Sequence, residues 1–295
     1  MTATINKYLS LVKFSHTVFA LPFAFIGFFL GWADSLAYNP SFQLKFWWLA
    51  GMIACMIFAR SAAMAFNRYL DRDIDALNPR TKSREIPANV ITPQSALAFV
   101  ILNCVLFCVT TWFINPLVFY LSPIALIVVL GYSYTKRFTA FCHFVLGLGL
   151  SLAPIGSYLC ITERFSFLPV LFSITVFCWV SGFDIIYALQ DEQFDKDNQL
   201  HSVPSLLGAK NALMVSRVTH VMCMLALMMT GVFGEFSWLF WIGYVFFTAM
   251  LFSQHRVVRP NDLSRVNLAF FTYNGLASIV FGLLVVFDIL IFRIW

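Results

Sequence analysis

Nine apolar segments, joined by short polar loops, constrain the fold of this 295-residue chain more than any other feature. They cover roughly residues 14–33, 47–66, 95–113, 117–134, 143–160, 167–187, 212–232, 236–252 and 267–291. One helical crossing of a bilayer needs about 20 mainly apolar residues. Because only helices and closed barrels satisfy their backbone groups in lipid, the pattern predicts an all-α membrane protein with about nine transmembrane helices. The segments and loops use the whole chain, so one transmembrane domain, residues 1–295, is expected.

The composition supports this interpretation and suggests an orientation. Hydrophobic residues make up 60% of the chain and charged residues only 11%, whereas soluble domains have about 25% charged residues. Sixteen of the 19 Lys and Arg residues fall in or beside one set of alternate loops. We therefore interpret the net charge of +5 as membrane topology and not as nucleic-acid binding. This predicts an inner (plasma) membrane protein with a cytoplasmic N-terminus, an external C-terminus and a cytoplasm-facing site.

Two acidic motifs of identical spacing follow the second and sixth segments. The first is Asn67-x3-Asp71-x3-Asp75, and the second is Tyr187-x3-Asp191-x3-Asp195, with Asp184 further into the sixth segment. Side chains four residues apart lie on one helix face, so each set projects together. Carboxylates that converge from two helix ends repel one another unless a cation joins them, and Mg²⁺ characteristically bridges carboxylates to substrate phosphates. The motifs therefore predict a Mg²⁺ site for a phosphate-bearing substrate.

Basic residues surround the acidic motifs on the same predicted side. They are Arg72, Arg80, Lys82, Arg84, Lys136 and Arg137. Arg and Lys side chains are natural donors to diphosphate oxygens, although topology also explains part of this charge. Lys136 and Arg137 are the most strongly indicated, because Tyr132 and Tyr134 precede them on a very short loop.

These motifs together resemble those of a known family. The segment Asn67–Asp75, followed by Asn78–Pro87, resembles the first signature of the UbiA superfamily of intramembrane aromatic prenyltransferases. The segment Asp184–Asp195 resembles the second signature, and Tyr132–Thr139 is similar to the loop after the fourth helix of the family. The resemblance extends over nearly the whole chain. One difference is Arg68, where many members have Asp, which leaves one acid fewer in the first motif.

Within this superfamily the chain most resembles the 4-hydroxybenzoate polyprenyltransferase branch of quinone biosynthesis. The segments His16–Ala24, Asn78–Thr81 and Leu200–Pro204 are most similar to members that serve menaquinone biosynthesis through the futalosine route. The resemblance implies Mg²⁺-dependent transfer of a polyprenyl group from polyprenyl diphosphate to an aromatic acid of the 4-hydroxybenzoate type, for ubiquinone or menaquinone. The alternative acceptor is 1,4-dihydroxy-6-naphthoate, in menaquinone biosynthesis.

The resemblance also implies roles for individual side chains. The expected Mg²⁺ ligands are Asn67, Asp71, Asp75, Asp191 and Asp195. The expected diphosphate ligands are Arg72, Lys82, Arg84, Lys136, Arg137 and Tyr187. The expected contacts of the aromatic acid are Arg137, Tyr132 and Arg60. Alternatively, Arg60 forms an ion pair with Asp184. Asp184, Asp191 or a neighbouring carboxylate would accept the ring proton.

Two other functions fit parts of the pattern. A cation-coupled transporter would also place acids in membrane helices, but transporter acids usually lie near the middle of the membrane. A haem-farnesylating enzyme of the same superfamily would need room for a porphyrin, and the motif of Asp191 and Asp195 is closer to the quinone branch. The predicted partners are the lipid bilayer, polyprenyl diphosphate and a small aromatic acid, with no nucleic acid and no obligate protein partner.

Overall fold

The fold is a bundle of long helices. The computed structural model describes residues 7, 8, 10, 11 and 19–294, so residues 14–18 of the first predicted segment, with His16, lie outside it. The helices are α1 Leu21–Tyr38, α2 Phe46–Leu70, α3 Arg72–Leu77, α4 Pro93–Ile114, α5 Pro116–Thr135, α6 Cys142–Thr162, α7 Phe167–Ala188, α8 Glu192–Asp197, α9 Val203–Phe233, α10 Trp238–Val257 and α11 Asn274–Ile289. Apart from the short α3 and α8, these helices correspond to the nine predicted segments.

Eight of the nine long helices in the described part of the chain are long and apolar enough to cross a membrane, when α11 is taken with the helical turns that flank it, as Leu268–Ile294. The exception is α10, whose polar last turn, with Gln254, His255 and Arg256, lowers its mean hydropathy. The prediction of an all-α membrane protein is therefore confirmed. The orientation of the termini and the extent of the single domain stay predictions.

Helix α7 lies inside the bundle and carries the second acidic motif at its end. It packs between α6 and α9. The Trp179 ring is fully buried, and its centroid lies 5.5 Å from the ring centroids of both Phe23 in α1 and Phe247 in α10. After Ala188 the chain continues through one tight turn, Leu189–Asp191, into α8. Close packing of α7 therefore fixes the position of the second motif.

Small and polar residues hold neighbouring helices at short distances. A Cβ atom at Gly27 of α1 would collide with the carbonyl group of Pro154 in α6. Membrane helices commonly approach each other at such residues, because lipid supplies little hydrophobic driving force for helix association. The chain turns from α4 into α5 at Asn115, whose side chain accepts from Val118 N and donates to Leu159 O, each at 2.9 Å.

Helix α9 starts at Val203, earlier than the predicted 212, and bends at Gly208. Gly208 has φ of 74°, a conformation that a residue without a Cβ adopts readily. Ser202 caps the helix by accepting a hydrogen bond from Ser205 N at 3.2 Å. The hydroxyl of Ser202 also donates to Asp195 Oδ2 at 2.9 Å. The start of α9 is therefore attached to the second acidic motif.

Candidate active site

The structure brings both acidic motifs to one end of the bundle, where each of four carboxylates has a basic partner. The pairs are Asp71 with Arg137 at 3.1 Å, Asp75 with Arg84 at 2.6 Å, Asp195 with Lys136 at 2.7 Å, and Asp191 with Arg80. Asp75, Asp191 and Asp195 are only 5%, 8% and 1% exposed. Buried carboxylates are strongly destabilising unless they are paired, so these cations hold the site together.

The loop after the first motif reaches across to the second. Asn78 Nδ2 and Arg80 Nε each donate to Asp191 Oδ1 at 3.0 Å. Arg80 Nη1 donates to the Tyr187 hydroxyl at 3.3 Å. Burial lowers the pKa of Arg80, but its bonds with Asp191 outweigh burial and raise the pKa above its ordinary value. Sequence reasoning missed these roles of Asn78 and Arg80, although both lie in the loop that carries the family signature.

Lys136 lies between the two motifs. Burial lowers its pKa, but attraction to Asp195, Asp191 and Asp71 raises the pKa above its ordinary value. Lys136 Nζ lies 2.7 Å from Asp195 Oδ1 in this ion pair. The backbone carbonyl of Lys136 accepts from His201 N at 2.8 Å, and this fixes the α5–α6 loop against the start of α9.

The first motif places two carboxylates, Asp71 and Asp75, close enough for each to affect the charge of the other. Asn67 Nδ2 donates to Asp71 Oδ2 at 3.0 Å. Burial, and then the charge of Asp75, raise the pKa of Asp71, while Lys136 and Arg137 oppose the rise. Asp75 Oδ2 is buried without a hydrogen-bond partner among the described residues. A further cation would stabilise both carboxylates.

The donor set suits Mg²⁺. In the described residues no three His, Cys, Asp or Glu side chains form a ready-made metal cluster. However, carboxylate and amide oxygens are the ligands that Mg²⁺ prefers, and it typically takes only one or two carboxylates together with substrate phosphates. The buried, unpartnered oxygen of Asp75 and the raised pKa of Asp71 fit such an ion.

Three predicted side chains have other surroundings. Arg72 donates to Tyr69 O at 2.8 Å and stacks over the Tyr69 ring, and Lys82 is exposed, so neither joins the four pairs. Asp184 is paired with His143, at 2.7 Å between Oδ2 and Nδ1, and not with Arg60. This excludes the alternative in which Arg60 neutralises Asp184.

Arg60 instead lines an apolar cavity of about 380 Å³ among α2, α4, α5 and α6. Of the described lining residues, Arg60 alone carries a formal charge, and Tyr132 lines the same cavity. Arg60 Nε is buried and has no hydrogen-bond partner in the described structure. Arg60 is two helical turns before Asn67, and Tyr132 is one turn before Lys136, so the cavity adjoins the four ion pairs.

The family of the chain follows from a comparison of its sequence with family models. The model of the UbiA prenyltransferase family matches residues 19–276. The chain belongs to the UbiA prenyltransferase family. This UbiA prenyltransferase is a multi-pass membrane enzyme, and the transporter alternative is set aside.

Two relatives of this UbiA prenyltransferase share one name. The chain is 25% identical over 243 residues to the 4-hydroxybenzoate octaprenyltransferase of Tolumonas auensis, covering 82% of this chain and 83% of that protein. It is 29% identical over 207 residues to the enzyme of the same name from Vesicomyosocius okutanii, covering 69% and 74%.

Solved structures share the fold. The apo structure of a UbiA homolog from Aeropyrum pernix K1 matches with a TM-score of 0.82 at 27% identity, covering 92% of this chain and 98% of that one. A UbiA homolog from Archaeoglobus fulgidus, bound to GPP and Mg²⁺, matches with a TM-score of 0.67 at 20% identity, covering 93% and 99%.

Proposed function

We propose that this prenyltransferase transfers a polyprenyl group from polyprenyl diphosphate to an aromatic acid of the 4-hydroxybenzoate type, with Mg²⁺, in quinone biosynthesis. The observation that carries the proposal is the position of Arg60. Among the described residues, its buried Nε has no hydrogen-bond partner, and Arg60 is the one charged residue that lines the apolar cavity beside the four ion pairs. A guanidinium binds a carboxylate through two parallel hydrogen bonds, and an apolar wall suits an aromatic ring.

The ion pairs supply the groups that a diphosphate needs. Asn67, Asp71 and Asp75 on one side, with Asp191 and Asp195 on the other, would hold Mg²⁺, which would neutralise charge on the departing diphosphate. The four basic partners of these carboxylates would donate hydrogen bonds to the diphosphate oxygens. These partners are Arg80, Arg84, Lys136 and Arg137.

The reaction breaks the bond between the allylic carbon of the donor and a diphosphate oxygen. The electron-rich ring, held by its carboxylate on Arg60, forms a carbon–carbon bond to the allylic carbon. The ring then loses a proton to a carboxylate, for which Asp184 and Asp191 are the candidates. The apolar cavity excludes water, which would otherwise capture the allylic cation.

The acceptor is 4-hydroxybenzoate or 1,4-dihydroxy-6-naphthoate. Both carry the carboxylate that Arg60 would bind and an electron-rich ring. The names of the relatives support the first acceptor, and the sequence motifs near His16 and Leu200 support the second. We place the enzyme in the inner membrane with the four ion pairs toward the cytoplasm, as the distribution of Lys and Arg residues indicates.

The test is a competition assay on purified protein in detergent. A long-chain polyprenyl diphosphate is mixed with both acceptors, with and without Mg²⁺, and products are measured by mass spectrometry. We expect Mg²⁺-dependent prenylation of one acceptor. Absence of product from both acceptors with folded protein would contradict the proposal.

A matched pair of variants tests the role of Arg60. Arg60→Gln should raise the KM for the aromatic acid at least about tenfold, because a charge-assisted pair is lost. The exposed Lys82 provides the control, and Lys82→Gln should leave this KM unchanged. Equal KM values for the aromatic acid in the two variants would show that Arg60 does not bind the acceptor.

A further inference from the structure

A second cavity of about 380 Å³ lies between α9 and α10, outside the site described above. It shares no lining residue with the cavity of Arg60. Its polar walls are Arg217 and His220 of α9 with His255 and Arg256 of α10. We call this cavity the α9–α10 crevice.

The two arginines of the crevice are exposed and lack carboxylate partners. Among the described residues neither Arg217 nor Arg256 forms an ion pair, whereas the cations of the active site are matched to carboxylates one by one. Arg256 lies in the last turn of α10. Unpaired guanidinium groups at a membrane boundary are strong donors for phosphate.

The two histidines leave an unsatisfied acceptor in the crevice wall. His220 Nε2 lies 3.3 Å from Trp179 O, and a carbonyl only accepts, so Nε2 carries the proton and Nδ1 accepts. His255 Nε2, 2.8 Å from His220 Nδ1, must therefore donate. This makes His255 Nδ1 an acceptor, and it is buried without a partner in the described structure. Both rings are neutral in this arrangement, so the positive charge of the crevice belongs to its arginines.

The rest of the crevice is apolar and continues into the membrane-facing surface. Met224 and Leu251 line it, and Val221 and Phe252 at its edge are 48% and 63% exposed. An acyl chain would satisfy this apolar part. It would not satisfy the polar end, because the guanidinium groups of Arg217 and Arg256 would then face hydrocarbon without an anionic partner. The occupant therefore needs a polar, anionic head and an apolar tail.

We propose that the α9–α10 crevice binds an anionic phospholipid. The phosphate lies against Arg217 and Arg256, and an acyl chain packs along Met224 and Phe252. Basic pockets between transmembrane helices are known to hold anionic headgroups. This site is separate from prenyl transfer, so it is tested by binding in the absence of substrate.

The test is native mass spectrometry of delipidated protein with phosphatidylglycerol or phosphatidylcholine added. Wild-type protein should retain phosphatidylglycerol in preference to phosphatidylcholine. The double variant R217Q/R256Q should bind phosphatidylglycerol about tenfold more weakly or worse, since both guanidinium contacts with the phosphate are lost. The control R259Q/K210Q removes the same charge from exposed cations outside the crevice and should retain wild-type binding.

Three outcomes would overturn the proposal. Equal binding of the two lipids would show that charge does not select the occupant. Equal losses in R217Q/R256Q and R259Q/K210Q would show diffuse electrostatics instead of a site. Competition by free glycerol phosphate at the same concentration as the lipid would identify a soluble anion as the ligand. Circular dichroism and gel filtration establish that R217Q/R256Q is folded before it is compared.

Discussion

His143 Nδ1 lies 2.7 Å from Asp184 Oδ2, while His143 Nε2 accepts a hydrogen bond from Val203 N at 3.2 Å. Because a backbone N–H only donates, Nε2 accepts and the proton of the neutral ring is on Nδ1, directed at Asp184. His143 is 3% exposed. The pair therefore joins the start of α9, which also contacts Asp195 through Ser202, to a candidate proton acceptor.

Replacing His143 should reduce the rate of prenyl transfer more than it weakens the binding of polyprenyl diphosphate. In His143→Ala, Asp184 and Val203 N lose their partner, and an unmade buried hydrogen bond costs about 1–3 kcal/mol. We expect kcat to fall at least about fivefold with little change in the KM for polyprenyl diphosphate. The exposed His201 gives the control His201→Gln, which should leave kcat unchanged. A kcat of His143→Ala equal to that of the control would show that His143 does not position Asp184.

The second acidic motif should be indispensable for turnover. Asp191→Asn removes the charge that Asn78 and Arg80 contact and that is expected to face Mg²⁺. We expect prenyl transfer to fall about 100-fold or more, with folded protein by gel filtration. Asp197→Asn should be close to wild type, because Asp197, at the end of α8, is exposed and accepts a hydrogen bond from Gln193 Nε2 at 2.8 Å. Normal turnover by Asp191→Asn would refute the metal assignment.

Docking of the loop after the first motif should depend on the geometry of Arg80. Arg80→Lys keeps the charge but loses the forked contacts with Asp191 and Tyr187. Hydrogen–deuterium exchange should show faster exchange at residues 78–86 in this variant, because local opening becomes easier. Lys82→Gln in the same loop should leave exchange unchanged. Wild-type exchange in Arg80→Lys would mean that another contact holds the loop.

Asp288 should contribute to stability and not to catalysis. Its two oxygens accept from Ser237 N at 3.2 Å and Phe240 N at 3.1 Å, so a side chain of α11 caps the start of α10. Asp288→Ala should reduce the free energy of unfolding by about 1–2 kcal/mol, in line with the loss of a helix cap. This is measured as a lower melting temperature with an unchanged kcat. The control is Glu235→Gln, because Glu235 is exposed. Equal melting temperatures for Asp288→Ala and Glu235→Gln would show that Asp288 does not stabilise the start of α10.

Sequence periodicity predicts helices well in this chain because each apolar run must be helical to satisfy its backbone in lipid. It fails where tertiary contacts decide. Helix α9 begins before its apolar run, because Ser202 caps it and Gly208 bends it. Periodicity gives Asp288 no role, because the groups that it binds are backbone amides far along the chain.

The site shows the same division. The sequence by itself was enough to predict a helical membrane protein, to identify the acidic site residues and to recognise the resemblance to the UbiA family. These conclusions depend only on local periodicity and residue type. Only the tertiary structure decided which cation pairs with which carboxylate. Arg80 pairs with Asp191, and His143, not Arg60, pairs with Asp184. Such pairs join residues 41 and 111 positions apart in the chain. No local pattern specifies them, since they depend on how the helices pack.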